Sequence, residues 1–283
     1  MSLQLLVPGA RDEVTTWPSE PRLYDRGTTD LDRAFTLDLV DSYIDTECLT
    51  PAQVVLAKDG KIIHSGFYVQ DGRLKPGELR RRVDDGHTLS LRNLQDGFPF
   101  LARMCRLLQT ETGYPCHATA YLTPPGAQGL SFHWDPYTVL VAQISGRKVW
   151  PLFAPVVSRP MREHLSFPKT GFTDEQRAHL REATPDMTFV LEPGDTLWVP
   201  RGWIHDPRTT GDEPSLHVTF AVKERTRYWL ARQLLEHALT DDAFREEVAP
   251  ARLTGDRLEE ELANARSLLV GYLSRQDLAA RRR

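Results

Sequence analysis

The chain has few cysteines, no long apolar run and no secretion signal, and each absence narrows the class of protein. Its three cysteines, Cys48, Cys105 and Cys116, are too few and too widely spaced for a disulfide framework or a zinc site. No apolar run approaches the roughly 20 residues that a helix needs to span a bilayer. The short apolar run at the N-terminus lacks a basic start and a small-residue cleavage site, so the sequence predicts a cytoplasmic protein.

An excess of positive charge is also absent. The formal net charge is -4 at pH 7 and the pI is about 6.2, so we expect no direct binding to nucleic acid, and the missing apolar runs predict no membrane partner. With 40% hydrophobic and 26% charged residues, the composition is that of a folded globular protein. The 283 residues are enough for one large domain, or for one domain with an appendage.

Residues 1–90 are predicted to form a lead-in of helices and a hairpin that packs on the core. The stretch "RAFTLDLVDSYI" has its apolar residues near one helical face, and "AQVVLAKDGKIIHSGFYV" predicts two strands joined by a turn at Asp59 and Gly60. A further helix is predicted to begin near Pro99. It should end at Gly113, because glycine is favoured just beyond a helix C-terminus.

From residue 115 to about residue 222, short runs rich in Val, Leu, Phe, Tyr and Trp are separated by Pro and Gly, as in "TVLVAQISG", "MTFVLEPGD" and "SLHVTFAV". Several short strands with turn signals between them are typical of a β-sandwich or barrel. We therefore predict a mainly β fold with flanking helices, whose core covers residues 91–225.

Residues 226–283 change to helical periodicity and are predicted to form a C-terminal helical segment. In "DRLEEELANARSLLVGYL" the side chains of Leu258, Leu262, Leu269 and Leu273 recur at helical spacing. This apolar stripe has two interpretations. It either packs against the β core or forms the contact between two copies in a homodimer.

The stretch "SFHWDPYTV" places His133 and Asp135 two residues apart, in surroundings fit for burial. On a strand, such side chains project to the same side, so both can contact one ion while Trp134 points away. Two imidazoles and one carboxylate on one face are the ligand set of non-haem iron(II) oxygenases. The pair alone is a weak signal, because His-x-Asp arises often by chance and also occurs where a strand simply ends.

A third ligand must come from a distant strand that returns beside the first. In "EPGDTLWVPRGWIHDP" a strand is followed by a bend at Pro200 and Gly202, and His205 then begins the next strand. His217 in "LHVTF" is the competing candidate. We favour His205, because the rigid bends can fix it at the mouth of a barrel, and His217 would then lie behind the ligands or face the substrate.

Three blocks stand in the same order as in a known family: "AYLTPPGAQGLSFHWDPYTVLVAQISGRKVW", "LEPGDTLWVPRGWIHD" and "LHVTF". With these blocks, the chain resembles the JmjC-type iron(II)- and 2-oxoglutarate-dependent oxygenases of the cupin superfamily, especially the ribosomal oxygenase subgroup. The resemblance covers roughly residues 90–225. It implies that the β core is a double-stranded β-helix, the jelly-roll of the cupins, and that His133, Asp135 and His205 are the iron(II) ligands.

The resemblance also implies a binding site for the co-substrate. Lys148 matches the basic residue that binds the distal carboxylate of 2-oxoglutarate, and its neighbour Arg147 should face the other way. A cation there suits a dianion that has left water, because a buried charge without a partner is costly. Tyr121 and Thr219 match positions whose hydroxyls contact the same carboxylate. Their alternative roles are a core aromatic residue and a β-forming strand residue.

The activity implied by the resemblance uses O2 and 2-oxoglutarate to hydroxylate an unactivated C–H bond of an amino-acid side chain in a protein or peptide, with release of succinate and CO2. A ribosomal protein is one candidate substrate. Three alternatives remain open: N-methyl-lysine demethylation, tailoring of a peptide natural product or small molecule, and a cupin binding module without catalysis.

The sequence departs from the family pattern at two places. Pro136 follows the carboxylate ligand where many relatives have an acidic or polar residue, which changes the substrate side of the pocket. Residues 226–283 are enough for helices but not also for the winged-helix domain that members acting on ribosomal proteins often carry, so we expect a shorter member with room for a smaller peptide. Asp206 either holds a ligand imidazole or lies in a solvated turn.

Overall fold

The strand-rich region forms two facing antiparallel sheets in the computed structural model, which describes residues 3–9, 14–161 and 172–275. Elements are numbered in chain order. The larger sheet contains, in spatial order, β1 (Arg22–Asp25), β11 (Asp195–Val199), β8 (Thr138–Ser145), β14 (Ser215–Val222), β7 (Cys116–Thr123), β6 (Thr88–Leu91), β2 (Val54–Lys58) and β3 (Lys61–Ile62). The smaller sheet contains β10 (Met187–Leu191), β9 (Arg147–Phe153) and β12 (Ile204–His205), with β13 (Arg208–Thr210) also paired to β9.

Strand alternation sends side chains to two separate cores. In β7, Ala118, Ala120 and Leu122 belong to the core on the outer face of the larger sheet. Apolar residues of both sheets meet on the inner face, among them Val141 from β8 and Trp150 from β9. The predicted fold class, a mainly β jelly-roll core with flanking helices, is confirmed.

Helices cover the outer face of the larger sheet. They are α1 (Leu3–Leu6), α2 (Asp30–Ala34), α3 (Leu37–Asp45), α4 (Glu78–Asp84) and α5 (Pro99–Thr112). Helix α6 (Asp174–Glu182) lies elsewhere, because its Leu180 packs against the cluster that contains Phe132 and Ile204. Helix α5 begins and ends where the sequence predicts, and Gly113 follows it in the left-handed region with φ of 74°. The stretch predicted as one helix contains two, because the Thr36 side chain caps α3 by accepting a hydrogen bond from the Leu39 amide.

The N-terminal region contributes more than a lead-in. The predicted hairpin forms as β2 and β3, with Asp59 and Gly60 at positive φ in its turn. In addition β1 pairs with β11, and β6 joins β2 to β7, so four strands of the larger sheet come from this part of the chain. The expected boundary between residues 90 and 91 falls within β6. A separate small hairpin consists of β4 (Val69–Gln70) and β5 (Arg73–Leu74).

The contacts divide the chain into two units, with the division between Glu224 and Arg225. In the second unit, α7 (Arg227–Ala238) and α8 (Asp256–Arg275) are joined by the buried Tyr272, whose hydroxyl donates to the His237 carbonyl at 3.1 Å. Within the described residues, no helix has the length and apolar character to cross a membrane.

Candidate metal centre

His133, Asp135 and His205 come together at one end of the jelly-roll. One ligand atom from each lies within 4.8 Å of the other two, and the Nε2 of His205 is 3.8 Å from the Oδ2 of Asp135. His205 is 2% exposed, and the other two are partly buried. Two nitrogens and one oxygen at this separation can surround a single divalent cation and leave its remaining positions open.

Backbone hydrogen bonds hold the two segments that carry the ligands. The His133 amide donates to the His205 carbonyl at 3.1 Å, and the His205 amide donates back to the His133 carbonyl at 2.8 Å. The Gly202 amide donates to the Asp135 carbonyl at 2.9 Å. The bend before His205 therefore does what the sequence analysis expected of it, by fixing β12 against the loop that carries the other two ligands.

Both imidazoles are oriented by carbonyls of their own segments. The Nδ1 of His133 lies 2.9 Å from the Ser131 carbonyl, and the Nδ1 of His205 lies 2.9 Å from the Trp203 carbonyl. Because a carbonyl only accepts, each Nδ1 carries the proton, and each Nε2 keeps a lone pair that can bind a cation.

Gly60 supports the His133 segment from the neighbouring hairpin. Its amide donates to the Gly129 carbonyl at 3.0 Å, and its carbonyl accepts from the Ser131 amide at 3.3 Å. A Cβ on Gly60 would lie only 2.7 Å from the Cβ of Ser131, so the approach of these two chains requires glycine.

The metal centre lies in a cavity of about 520 Å³ that opens to solvent between the sheets. Burial raises the pKa of Asp135, although His133 opposes this shift. Burial, and after it His133, holds the pKa of His205 well below its usual range. Both shifts follow from taking charge out of water, and a bound cation would favour the carboxylate and the neutral imidazole that it needs as ligands.

Lys148 points into the same cavity, as the resemblance implied. It is 2% exposed, and its Nζ donates to the Thr123 hydroxyl at 2.8 Å. Burial lowers the pKa of Lys148 to about 7. Its neighbour Arg147 faces outward and forms an ion pair with the Glu192 carboxylate at 2.8 Å. Among the described residues, Lys148 has no carboxylate partner, so a carboxylate that enters the cavity would meet no competing anion at this amine.

Tyr121, Thr219 and His217 line the cavity on the larger sheet. The rings of Tyr121 and His217 are stacked, with centroids 5.0 Å apart and planes inclined by 15°. Burial, and after it Asp135, raises the pKa of Tyr121 to about 12, so its phenol stays protonated and can donate a hydrogen bond.

The competing third ligand, His217, lies outside the cluster of ligand atoms. It pairs across β14 with Tyr121 on one side and Gln143 on the other, and its buried Nδ1 has no hydrogen-bond partner among the described residues. Asp206 is 7% exposed and accepts a hydrogen bond from the Gln128 side chain, so it is buried in the connection between β12 and β13 and is not a solvated residue.

Sequence analysis did not find every residue of the site. Thr123, which accepts from Lys148, and Ser131, which orients His133, carried no signal of their own. Thr88 and Ser90 of β6 also line the cavity, because the larger sheet extends beyond the predicted β core.

Residues 92–230 match the model of the JmjC domain. The resemblance to the JmjC family is therefore confirmed for this part of the chain. The chain is similar to the bifunctional lysine-specific demethylase and histidyl-hydroxylase NO66 of Aedes aegypti, with 35% identity over 174 residues, 61% of this chain and 26% of that protein. The protein of the same name in Dictyostelium discoideum is 35% identical over 152 residues, 54% of this chain and 28% of its own length. The chain thus spans about a quarter of the length of these relatives.

Solved structures show the same fold. The structure of E. coli YcfD matches with a TM-score of 0.60 and 15% identity, and covers 94% of this chain and 68% of its own. A second structure, described as YcfD, a ribosomal oxygenase from Escherichia coli, in complex with cobalt and 2-oxoglutarate, matches with a TM-score of 0.59 and 16% identity, over 95% of this chain and 67% of its own.

The two candidate third ligands can be separated by substitution. His205→Ala should weaken binding of Co2+ or anaerobic Fe2+ by at least about a hundredfold, because even residues that only orient metal ligands are worth 10- to 100-fold. His217→Ala should keep the wild-type affinity within a few fold. Titration calorimetry measures both, with far-UV circular dichroism as the control for folding. Loss of the metal in His217→Ala, with His205→Ala unaffected, would reverse the assignment.

Proposed function

We propose that this protein is an Fe(II)- and 2-oxoglutarate-dependent oxygenase that hydroxylates a C–H bond of an amino-acid side chain in a protein or peptide. One observation carries the proposal: a cluster of two imidazoles and a carboxylate shares its cavity with a buried lysine that has no carboxylate partner among the described residues. The residues suit both the metal and the dianionic co-substrate that such an enzyme must bind.

The ligand set fits iron(II). His133, Asp135 and His205 offer two nitrogens and one oxygen from one side, which is the facial arrangement of non-haem iron oxygenases and leaves room for a chelating co-substrate and for O2. Iron with 2-oxoglutarate and O2 supplies the oxidation that places one oxygen atom in the substrate C–H bond and the other in succinate, with loss of CO2. The protein holds the ligands, excludes water and orients the reactants.

Lys148 fits the distal carboxylate of 2-oxoglutarate. Its ammonium has left water for a cavity where only the Thr123 hydroxyl accepts from it, and a carboxylate would compensate that loss of solvation. The hydroxyls of Tyr121 and Thr219 line the same cavity and are proposed to donate to the same carboxylate. Because the Tyr121 phenol stays protonated, it can serve as a donor throughout the physiological range.

The substrate is proposed from the named activities of similar proteins. Relatives named histidyl-hydroxylase and a structure described as a ribosomal oxygenase support a protein or peptide substrate, with ribosomal proteins as the first to test. The relatives are also named lysine-specific demethylases, which favours N-methyl-lysine demethylation as the second candidate. A peptide natural product, a small molecule, and a binding module without catalysis are the remaining outcomes.

The proposed organisation keeps three parts. Residues 1–90 support the core, residues 91–225 form the catalytic jelly-roll, and residues 226–283 form a helical segment. The division of contacts between Glu224 and Arg225 supports the second boundary. A cytoplasmic location is proposed because the cysteines are free thiols, including the exposed Cys48.

The helical segment is proposed to form a homodimer contact. Leu262 and Val270 of α8 and Leu230 and Leu235 of α7 are each more than half exposed, which is unusual for so many large apolar side chains in one small unit. Leu262→Glu combined with Val270→Glu should shift the mass measured by light scattering from dimer to monomer. Ile62→Glu, at an equally exposed apolar position on β3, is the matched control. A wild-type protein that is monomeric at high concentration contradicts the proposal.

Co-substrate binding should take up a proton. The pKa of Lys148 is about 7 in the free protein, so at pH 8 most of the lysine is neutral, and a bound carboxylate requires it to be charged. The affinity for 2-oxoglutarate should therefore be highest below pH 7 and fall as the pH rises above it. Calorimetry of the metal-loaded protein at pH 8, in buffers of different ionisation enthalpy, should show uptake approaching one proton.

Two variants test the role of Lys148. Lys148→Met should lower the affinity for 2-oxoglutarate by about a hundredfold, because truncating one partner of a buried charge pair costs about 2–5 kcal/mol. Lys148→Arg keeps its charge at every accessible pH and should bind without taking up a proton. Unchanged affinity in Lys148→Met would show that the co-substrate is held elsewhere.

The reaction itself is tested by labelling. Protein supplied with Fe2+, 2-oxoglutarate, 18O2 and a host lysate that includes ribosomal proteins should yield peptides heavier by one 18O atom. Demethylation would instead release formaldehyde from N-methyl-lysine peptides. His133→Ala should form neither product. Equal product formation by His133→Ala and wild type would refute the oxygenase, and a metal-loaded protein that never converts 2-oxoglutarate to succinate would indicate a binding module.

A further inference from the structure

The face of the larger sheet that lines the cavity continues beyond it to the mouth of the jelly-roll. On β6, Ser90 lines the cavity, and Arg92 is two residues further on, so it projects to the same side. Its amide donates to the Gln53 carbonyl at 2.8 Å, which continues the pairing of β6 with β2 and keeps the backbone extended at this position. On β7, Tyr121 lines the cavity, and His117 is four residues earlier on the same side.

The next strand adds a second cation. On β14, Thr219 lines the cavity, and Lys223 follows four residues later, immediately after the end of the strand. Its amide donates to the Pro115 carbonyl at 2.9 Å, just before β7 begins. Arg92, His117 and Lys223, here called the mouth cluster, thus stand on three neighbouring strands at the same end of the sheet.

The candidate metal ligands lie at the same end of the larger sheet. His117 packs edge-on against the Tyr137 ring, with centroids 5.7 Å apart and planes inclined by 81°. Tyr137 is two residues beyond Asp135, at the point where the metal-binding loop enters β8. A substrate that approached the metal ligands from this end of the sheet would pass the mouth cluster.

The charges of the mouth cluster are not neutralised by the protein. Arg92 and Lys223 are exposed, and across residues 3–9, 14–161 and 172–275 neither forms an ion pair. The neighbouring Glu224 pairs with neither cation, and its carboxylate accepts a hydrogen bond from the Thr138 amide at 3.1 Å.

His117 adds a hydrogen-bonding group but no charge. Its buried Nδ1 has no partner among the described residues. Burial, and after it the nearby Lys223 and Arg92, lower the pKa of His117 to about 4, so the ring is neutral at physiological pH. The mouth cluster therefore offers two cations and one neutral imidazole to whatever lies across it.

These features suit an acidic peptide. The whole chain carries a formal charge of -4, so the mouth cluster is positive against a negative background and would attract an acidic group locally. Two cations on separate strands match individual carboxylates, whereas a nucleic acid needs a longer basic stripe. Resting on the oxygenase activity proposed above, we propose that the mouth cluster selects a peptide substrate with an acidic side chain two to four residues from the residue that is hydroxylated.

The spacing follows from strand geometry. Arg92 is one two-residue step from Ser90, and Lys223 is two such steps from Thr219, which corresponds to about 7 and 13 Å along the sheet. An extended peptide advances about 3.3 Å per residue, so it covers those distances in two to four residues. An acidic side chain at that separation would reach the cluster from a target residue held beside Ser90 and Thr219 in the cavity.

Binding of charged peptides tests the inference directly. Fluorescein-labelled peptides that differ only in carrying Glu, Gln or Lys at the same positions are titrated with metal- and 2-oxoglutarate-loaded protein, and fluorescence anisotropy is measured. The Glu peptide should bind about tenfold more tightly than the Gln peptide, and added salt should reduce this preference. In Arg92→Gln combined with Lys223→Gln the preference should disappear. The control variant Arg147→Gln should retain the preference for the Glu peptide, because it removes an exposed arginine at the end of β9 that is distant from His205.

A charge reversal separates recognition from mere structural damage. Arg92→Glu combined with Lys223→Glu should prefer the Lys peptide over the Glu peptide, which a misfolded mouth would not do. Equal binding of all three peptides by the wild-type protein, or a wild-type preference for Lys, overturns the inference.

The binding experiment can be interpreted even if the proposed oxygenase activity is absent. Lys148→Met should lose 2-oxoglutarate binding and, loaded with metal alone, keep the preference for Glu. If 2-oxoglutarate does not bind the wild-type protein, the oxygenase proposal fails, while peptide preference still decides the role of the mouth cluster.

Discussion

The candidate metal centre depends on the two backbone hydrogen bonds that join His133 to His205. His133 and His205 exchange amide-to-carbonyl bonds of 3.1 and 2.8 Å, although one lies in a loop and the other in a two-residue strand. Antiparallel partners that exchange both bonds have Cα atoms about 5.5 Å apart, which brings their side chains within reach of one ion. Here the rings approach to 4.2 Å between centroids. Backbone geometry thus assembles the ligand pair before any metal contributes.

The cavity behind this junction disfavours charged side chains, because burial removes them from water. Burial holds the pKa of Lys148 at about 7, below its unfolded value, so between those two values the folded protein binds fewer protons than the unfolded chain. The contribution of Lys148 to the free energy of unfolding therefore becomes more favourable as the pH rises above 7. At lower pH the lysine is charged, and the full cost of burying that charge destabilises the fold. A bound carboxylate removes that cost, so the same interaction that weakens the empty fold favours the loaded one.

Local signals in the sequence predicted the elements that local chemistry determines. The turn at Asp59 and Gly60 and the helix end at Gly113 depend on backbone conformations that few other residues adopt, and both formed where expected. The candidate metal ligands were also within reach, because the His-x-Asp spacing singled out His133 and Asp135 and the bend at Gly202 favoured His205. The strand expected at His133 and Asp135 did not form, and both residues lie in the loop before β8. Strand alternation alone could not decide between His205 and His217, because it points both side chains toward the cavity.

Pairings between distant strands could not be predicted. Thr123 contacts Lys148 across the two sheets, and nothing in the spacing of β7 and β9 specifies that alignment. The four residues of β1 are too few to show a period, yet they extend the larger sheet by pairing with β11. The family resemblance supplied the role of Lys148, but the acceptor at its side became visible only in the fold.

Trp203 gives the metal centre an unexpected neighbour. Its carbonyl accepts a hydrogen bond from the Nδ1 of His205 at 2.9 Å, and its indole donates to the Ser19 carbonyl at 3.1 Å. The irregular stretch before β1 is therefore one side chain removed from a ligand, even though it contributes no ligand itself. A shortened version of this protein that begins at β1 would keep His133, Asp135 and His205 and still lose the contact that holds Trp203, so the residues that support the site extend well outside the three blocks that carry the family resemblance.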